Sequence, residues 1–340
     1  MENDAKPRYF SMFTGVGGFE LGIGNRAKCI GVSEIDRFAN ELLRSKYPDI
    51  RNYGDARQIN PRELPDFDML CGGFPCQAFS IAGNRRGFED TRGTLFFEVA
   101  RIIEFKRPKI VLLENVKGLL NHEKGETFAV ILKTLSELGY DVQWLVLNSK
   151  FFGVPQNRER VFIIGNLRRE PRPEILPFRE NDKEFIGEED SKQQSGAITR
   201  TYYKGNKGTM LKIDKIQDGG QGNRIYSAEG ISTTLQGLAG GQGAKTGLYA
   251  IPVLTPDREN KRQHGRRFKE EGDPSFTLTQ QDIHGITDGM RVRRLTPLEC
   301  ERLQGFSDNW TAGFSDTQRY KMMGNAVTVN VIKAIMEKLI

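Results

Sequence analysis

A short apolar run, Asp68-Met-Leu-Cys71, passes directly into Gly72-Gly73-Phe74-Pro75-Cys76. The run reads as a buried strand, the glycines let the chain turn, and the proline fixes the backbone just before a thiol. The event recurs along the chain. Residues 8–13 end at a glycine turn, Thr14-Gly15-Val16-Gly17-Gly18; residues 28–33 end at Glu34; residues 110–113 end at Glu114. Helical patterns lie between these runs: Phe96, Val99, Ala100 and Ile103 share one face over residues 94–106, and residues 127–138 are amphipathic. Residues 141–147 and 161–165 read as further strands, the last following Arg158 and Arg160. Such alternation predicts an α/β fold, a doubly wound, mostly parallel sheet whose site lies at the carboxyl ends of its strands.

A chain of 340 residues is long enough for one large domain and a smaller one. A formal charge of +6 is compatible with a polyanionic partner without requiring one. Cys29, Cys71, Cys76 and Cys300 form no CxxC pair and His122, His264 and His284 are scattered, so a structural zinc is not expected. No apolar run approaches membrane length and the first residues do not resemble a signal peptide, so an intracellular protein with reduced thiols is expected.

Cys76, on a stiff loop after a strand, is placed to act as a nucleophile, although free cysteine is as a rule a small buried hydrophobe. The turn at residues 14–18 lacks the G-x-G-x-x-G spacing of nicotinamide enzymes. Glu34, roughly 20 residues on, stands where a carboxylate accepts from ribose hydroxyls, and Asp55, in Gly54-Asp-Ala56, where one meets an adenine amino group; each also fits a solvated helix cap. Residues 83–93 are polar, rich in Gly and Arg and aperiodic, which fits either a closing loop or a solvated one.

Taken in order, Phe13-Thr-Gly-Val-Gly-Gly18, Phe74-Pro-Cys-Gln77, Glu114-Asn-Val116, Gln156-Asn-Arg-Glu-Arg160 and Gly324-Asn-Ala-Val327 resemble the motif series of the DNA (cytosine-5) methyltransferases of restriction–modification type. The resemblance covers nearly the whole chain and is weakest at residues 168–215 and 250–290. It implies a Rossmann-like domain that binds S-adenosyl-L-methionine and a sequence-specific enzyme that flips a cytosine out of duplex DNA. Cys76 would add to C6 of that base, Glu114 would contact N3 and Arg160 O2, with Arg158 a supporting or DNA-backbone contact. Phe13, Thr14, Gly15, Val16 and Gly18 would hold the cofactor, with Glu34, Ile35, Asp55 and Ala56 from the next two turns. Ile35 stands where many relatives stack an aromatic on adenine. Pro75, Leu95, Asn325 and Ala326 would complete that site. The resemblance also has the final helix return beside the first.

From about residue 168 the pattern breaks into a region rich in Gly, Gln, Thr and Arg. The expected division is a catalytic domain, residues 1–167 plus 291–340, and a smaller, irregular, β-rich target-recognition domain, residues 168–290. The phrase Gly219-Gly-Gln-Gly-Asn-Arg224 resembles a DNA-reading region of the same family. By that resemblance Gln221 fills the gap left by the flipped base, Arg224 reads guanine, and Gln77, Ser80, Arg92 and Thr234 also touch DNA. Residues 275–282 faintly echo 232–236 and suggest a second DNA-facing strand. The expected partner is double-stranded DNA, with no metal and no membrane; a monomer is expected, and whether a restriction endonuclease that cuts the same site is paired with it stays open. Three rival readings stay open: a tRNA cytosine methyltransferase of the same superfamily, a silent DNA-binding regulator on this fold, and a nicotinamide enzyme.

Overall fold

The computed structural model describes residues 6–75, 95–170, 268–269, 273–279, 284–287 and 292–340, together with four further strands. The chain divides into two compact units, residues 1–147, 159–177 and 331–340 in the first and residues 148–158 and 178–330 in the second.

The first unit is built on six strands: β1 (Arg8–Met12), β2 (Lys28–Ser33), β3 (Met69–Gly73), β4 (Ile110–Val116), β5 (Tyr140–Asn148) and β6 (Glu159–Leu167). Their order in the sheet is β2-β1-β3-β4-β6-β5. β1 runs parallel to both β2 and β3, β3 runs parallel to β4, and β6 runs antiparallel to β4. The chain thus steps from β1 to one side, then returns to the other side at β3. The crevice between β1 and β3 is the switch point at which open α/β sheets take their ligands.

Helices α1 (Gly18–Ile23), α2 (Arg37–Lys46), α3 (Leu95–Lys106) and α4 (Glu126–Glu137) alternate with the strands, as the periodicity predicts. Phe10, Leu70, Val111, Leu113 and Ile163 from the sheet close one core with Val99 and Ile103 of α3 and Ile131 and Leu135 of α4, all with no measurable exposure. Burying each such side chain contributes roughly 1.5–3 kcal/mol against the entropy of ordering the chain. The antiparallel β6 begins at Glu159, two residues earlier than its apolar pattern suggests. Arg160 therefore lies within the strand, opposite Val116 at the carboxyl end of β4.

In the second unit, β7 (Ile198–Thr201) and β8 (Met210–Ile213) form an antiparallel pair. β9 (Ile225–Ser227), β10 (Leu248–Leu254), β11 (His284–Thr287) and β12 (Val292–Arg294) form a mixed sheet in the order β12-β11-β10-β9. Helix α5 (Pro297–Leu303) starts with a capping box in which the Thr296 and Glu299 side chains each accept from the other's backbone N–H. Helix α6 (Asp316–Asn325) follows, and α7 (Val329–Leu339) ends the chain. In the first unit Arg26, just after α1, bonds Glu337 of α7 at 2.7 Å, so the last helix does return beside the first.

The units divide differently from the expected boundaries at 167/168 and 290/291. Residues 148–158 and 295–330 pack together in the second unit because buried side chains tie them: Gln156 Nε2 donates to Leu303 O at 2.8 Å, and Ser149 Oγ meets Thr328 Oγ1 at 2.9 Å. The expectation of a DNA-facing strand at residues 275–282 also changes over its described part. Ser275 N donates to Pro155 O, Leu278 N donates to Gln156 Oε1, and Leu278 is buried. Its alternating pattern marks a segment docked inside the unit.

Candidate active site

Glu114 and Arg160 meet at the carboxyl end of β4. Arg160 Nε lies 3.0 Å from Glu114 Oε1, and the two side chains are only 15% and 12% exposed. Burial pulls the Arg160 guanidinium below its ordinary range, and Glu114 works against that shift. One Arg160 amino group also donates to its own strand at Glu159 O, 2.8 Å. A guanidinium and a carboxylate held side by side can present donor and acceptor to one planar polar ring.

The neighbouring strand makes room for this pair. Gly73, the last residue of β3, is in register with Glu114, and a Cβ there would stand 2.9 Å from Glu114 Oε2. At Gly72 a Cβ would collide with the carbonyl of Met12, so β1 and β3 approach only because that residue is glycine. Asn115, 3% exposed, donates from Nδ2 to Phe74 O at 2.8 Å and accepts from Val116 N. It ties the loop that leads to Pro75 and Cys76 to the strand that bears Glu114. Asn115 carries no sequence signal of its own beyond its place beside Glu114.

Three turns converge at the β1 end of the crevice. Glu34 accepts from Gly15 N at 2.7 Å, Ile35 N at 2.8 Å and Asp36 N at 2.7 Å. Asn52, which sequence reasoning missed, accepts from both Glu34 N and Gly54 N, and Ser33 Oγ donates to Gly54 O. Gly15 and Gly54 have φ of +59° and +72°, and a Cβ on either would meet no atom within 4 Å. These turns thus combine a left-handed backbone with open space in front of it. Ile35 is 67% exposed beside the carboxylate of Glu34, an apolar surface at the mouth of a polar cradle. Thr14, Val16 and Gly18 are buried behind the turn. The set fits a ligand that carries a ribose and a flat heterocycle. Asp55 is engaged: Arg57 forks onto its carboxylate at 2.6–3.1 Å, and that partner holds the carboxyl below its usual range. Arg101 of α3, the helix that opens with Leu95, donates to Ala56 O and Ile59 O.

In the second unit Arg158 is 3% exposed and donates to the carbonyls of Leu278, Gly324 and Ala326. A guanidinium buried in this way braces these three carbonyls and leaves almost none of its residue at the surface. Asn325 is exposed and Ala326 buried. Among the described residues the free cysteines are Cys29, Cys71 and Cys300. Burial pushes all three thiols up, Cys29 to about 12, which suits none of them to act as a thiolate. Cys76, Gln77, Ser80, Arg92, Gln221, Arg224 and Thr234 lie outside the described residues. Among the described residues no cluster of His, Cys, Asp and Glu could hold a metal, and no helix is long and apolar enough to cross a membrane.

Fold and site together define an α/β protein with a mostly parallel sheet, open glycine turns at the β1 end of its crevice and a buried carboxylate–guanidinium pair at the end of β4. The chain belongs to the C-5 cytosine-specific DNA methylase family, whose model matches residues 8–340. It is 36% identical to the orphan methyltransferase M.SPRI of Bacillus phage SPR, over 98% of each chain. It is 34% identical to the type II methyltransferase M.HhaI of Haemophilus parahaemolyticus, over 96% of this chain and 92% of that one. Among solved structures, the S. pombe Dnmt2 methyltransferase has the same fold, with a TM-score of 0.63, 16% identity and 98% of both chains covered. The protein is a DNA (cytosine-5) methyltransferase.

Proposed function

We propose that this enzyme methylates a cytosine flipped out of duplex DNA by covalent catalysis from Cys76. One observation carries the reading: the buried Glu114–Arg160 pair at the carboxyl end of β4, with Gly73 in register beside it three residues before Cys76 in sequence. Cytosine C5 is a poor nucleophile and needs activation. The Cys76 thiolate adds to C6, forming an S–C bond as the C5–C6 π bond opens, while Glu114 in its protonated form donates to N3 and Arg160 donates to O2, so that the negative charge developing on the ring is taken up. C5 becomes enamine-like and would form its bond to the methyl carbon as the methyl–sulfur bond of the cofactor's sulfonium breaks, the thioether leaving with that electron pair. Loss of the C5 proton to solvent and expulsion of the thiolate from C6 then restore the aromatic ring.

The cofactor reading is S-adenosyl-L-methionine, which supplies an electrophilic methyl when bound. Gly15 gives its backbone approach, with Phe13, Thr14, Val16 and Gly18 shaping the turn around it, Glu34 takes the ribose hydroxyls, and Ile35 covers the adenine. Asp55 reaches the adenine amino group by giving up part of its fork with Arg57. Pro75, Leu95, Asn325 and Ala326 line the remainder. Duplex DNA is the substrate, and the second unit, with Gln221, Arg224 and Thr234, reads the target. Gln77, Ser80 and Arg92 hold the flipped nucleotide, and unstacking it costs a few kcal/mol that these contacts offset.

The test is methyl transfer from labelled S-adenosylmethionine to mixed-sequence duplex DNA, wild type beside Cys76→Ala, followed by bisulfite sequencing. Transfer by the wild type alone, at cytosines within one short motif, is the expected result. An active Cys76→Ala enzyme would sink the covalent route, and transfer to RNA alone would replace the substrate.

A further inference from the structure

We propose that Arg158 is a positioning residue for cofactor binding: from the buried side it fixes the turn that displays Asn325. The inference rests on the reading of Asn325 as a cofactor contact. Helix α6 ends at Asn325, and a helix end leaves its last carbonyls without intrahelical donors. Here buried side chains supply them. Arg158 Nη2 donates to Gly324 O at 3.2 Å and to Ala326 O at 2.8 Å, and its Nη1 is anchored on Leu278 O at 2.8 Å. Gln304 Nε2 donates to Met323 O at 2.7 Å and to Ala326 O at 3.2 Å. Thr328 Oγ1 donates to Gln304 Oε1 at 2.8 Å, which fixes which end of the amide faces the turn.

Arg158, Gln304 and Thr328 are 3%, 0% and 2% exposed, whereas Asn325, between two clamped residues, is exposed. The carbonyls on either side of one outward side chain are thus held by one guanidinium. Its positive charge also suits the negative end of the helix dipole. A planar fork can reach both carbonyls and Leu278 at once, which a single ammonium cannot do in the same geometry. Slack at Arg158 therefore becomes slack at the Cα of Asn325, and affinity is lost when a contact residue must be ordered on binding.

The test is a double-mutant cycle on the full chain, with S-adenosylmethionine affinity measured by titration calorimetry and thermal melts to establish that each variant is folded. Asn325→Ala and Arg158→Lys are each expected to weaken binding about ten-fold, the loss of one good hydrogen bond. The double variant should bind no more weakly than Asn325→Ala alone. In kinetics, Arg158→Lys should raise the KM for the cofactor and leave kcat at saturation within about three-fold. Additive losses in the double variant, or unchanged affinity in Arg158→Lys, would overturn the proposal. Unchanged affinity in Asn325→Ala would instead remove the cofactor reading beneath it, a failure seen without touching Arg158. If Arg158→Lys does not fold, Arg158→Gln enters the same cycle under the same criterion.

Discussion

The α-carbon of Gly73 faces the carboxylate of Glu114 so closely that a methyl group on it would stand 2.9 Å from Oε2. The neighbouring backbone is in register, so the carboxylate is the part that must yield. Gly73→Ala should push Glu114 away from its place beside Arg160 without touching the cofactor turns. A displacement of about an ångström at a reacting ring costs on the order of 100-fold in rate. Steady-state methyl transfer should show that loss in kcat with cofactor affinity unchanged; a Gly73→Ala enzyme of wild-type rate would mean that Glu114 does not work from the position seen.

Glu114→Gln keeps the shape of the side chain and removes its charge. The buried Arg160 guanidinium then loses its counter-charge, which destabilises the fold by up to about 3 kcal/mol. The rate of transfer should fall by roughly 100- to 1,000-fold, the usual cost of removing one group that stabilises a transition state. Glu114→Gln/Arg160→Met separates the two effects. It should regain stability in denaturant melts, because no unpaired charge remains, and should stay inactive. Recovery of activity together with stability would make the pair structural only.

Glu34 accepts three backbone N–H groups, from Gly15, Ile35 and Asp36. One carboxylate thereby sets the glycine turn and stands beside the exposed Ile35. Glu34→Gln replaces one accepting oxygen with an NH2 group that cannot accept, and leaves a single neutral oxygen for the other contacts and for the ribose hydroxyls proposed to bind there. Calorimetry should find S-adenosylmethionine affinity down by about ten-fold or more, with kcat at saturating cofactor little changed. Equal affinity in wild type and variant would move the ribose elsewhere.

Much of this was readable in the sequence, for a physical reason. Strand and helix differ in the period of their apolar residues, so the alternation through residue 167 predicts the doubly wound sheet, and glycines or acids at strand ends predict where its open turns lie. Arg158 and Arg160 show where reading fails. They are two residues apart and identical in chemistry, yet Arg160 meets a carboxylate and Arg158 meets carbonyls. The carbonyls of Leu278 and Ala326 lie 120 and 168 residues away and leave no mark on residue type. Asn52 and Asn115 were missed likewise, because each bonds to backbone. The same long-range bonds carry residues 148–158 into the second unit, across the boundary that composition suggests.

Glu20 gives a pH test that is independent of the chemistry. It lies in the first turn of α1, just after the glycine turn, 4% exposed, with neither carboxylate oxygen in good hydrogen-bond geometry. Burial pushes its carboxyl up to about 7; the charge of Glu34 adds to the rise, and the Ser11 hydroxyl and its own backbone N–H oppose it. In the unfolded chain the group ionises near its ordinary value of 4.5. Below that value both states hold the proton and folding costs nothing extra. As pH rises from there to about 7, the unfolded state releases the proton while the folded state keeps it, so stability falls; above about 7 the cost is complete and constant. Glu20→Gln has no proton to keep, so its gain over wild type should be about 2 kcal/mol larger at about pH 8 than at about pH 5.5. Urea melts of both proteins at the two pH values measure it. A gain that does not change with pH would mean that Glu20 is ionised in the folded protein and has a partner for its charge.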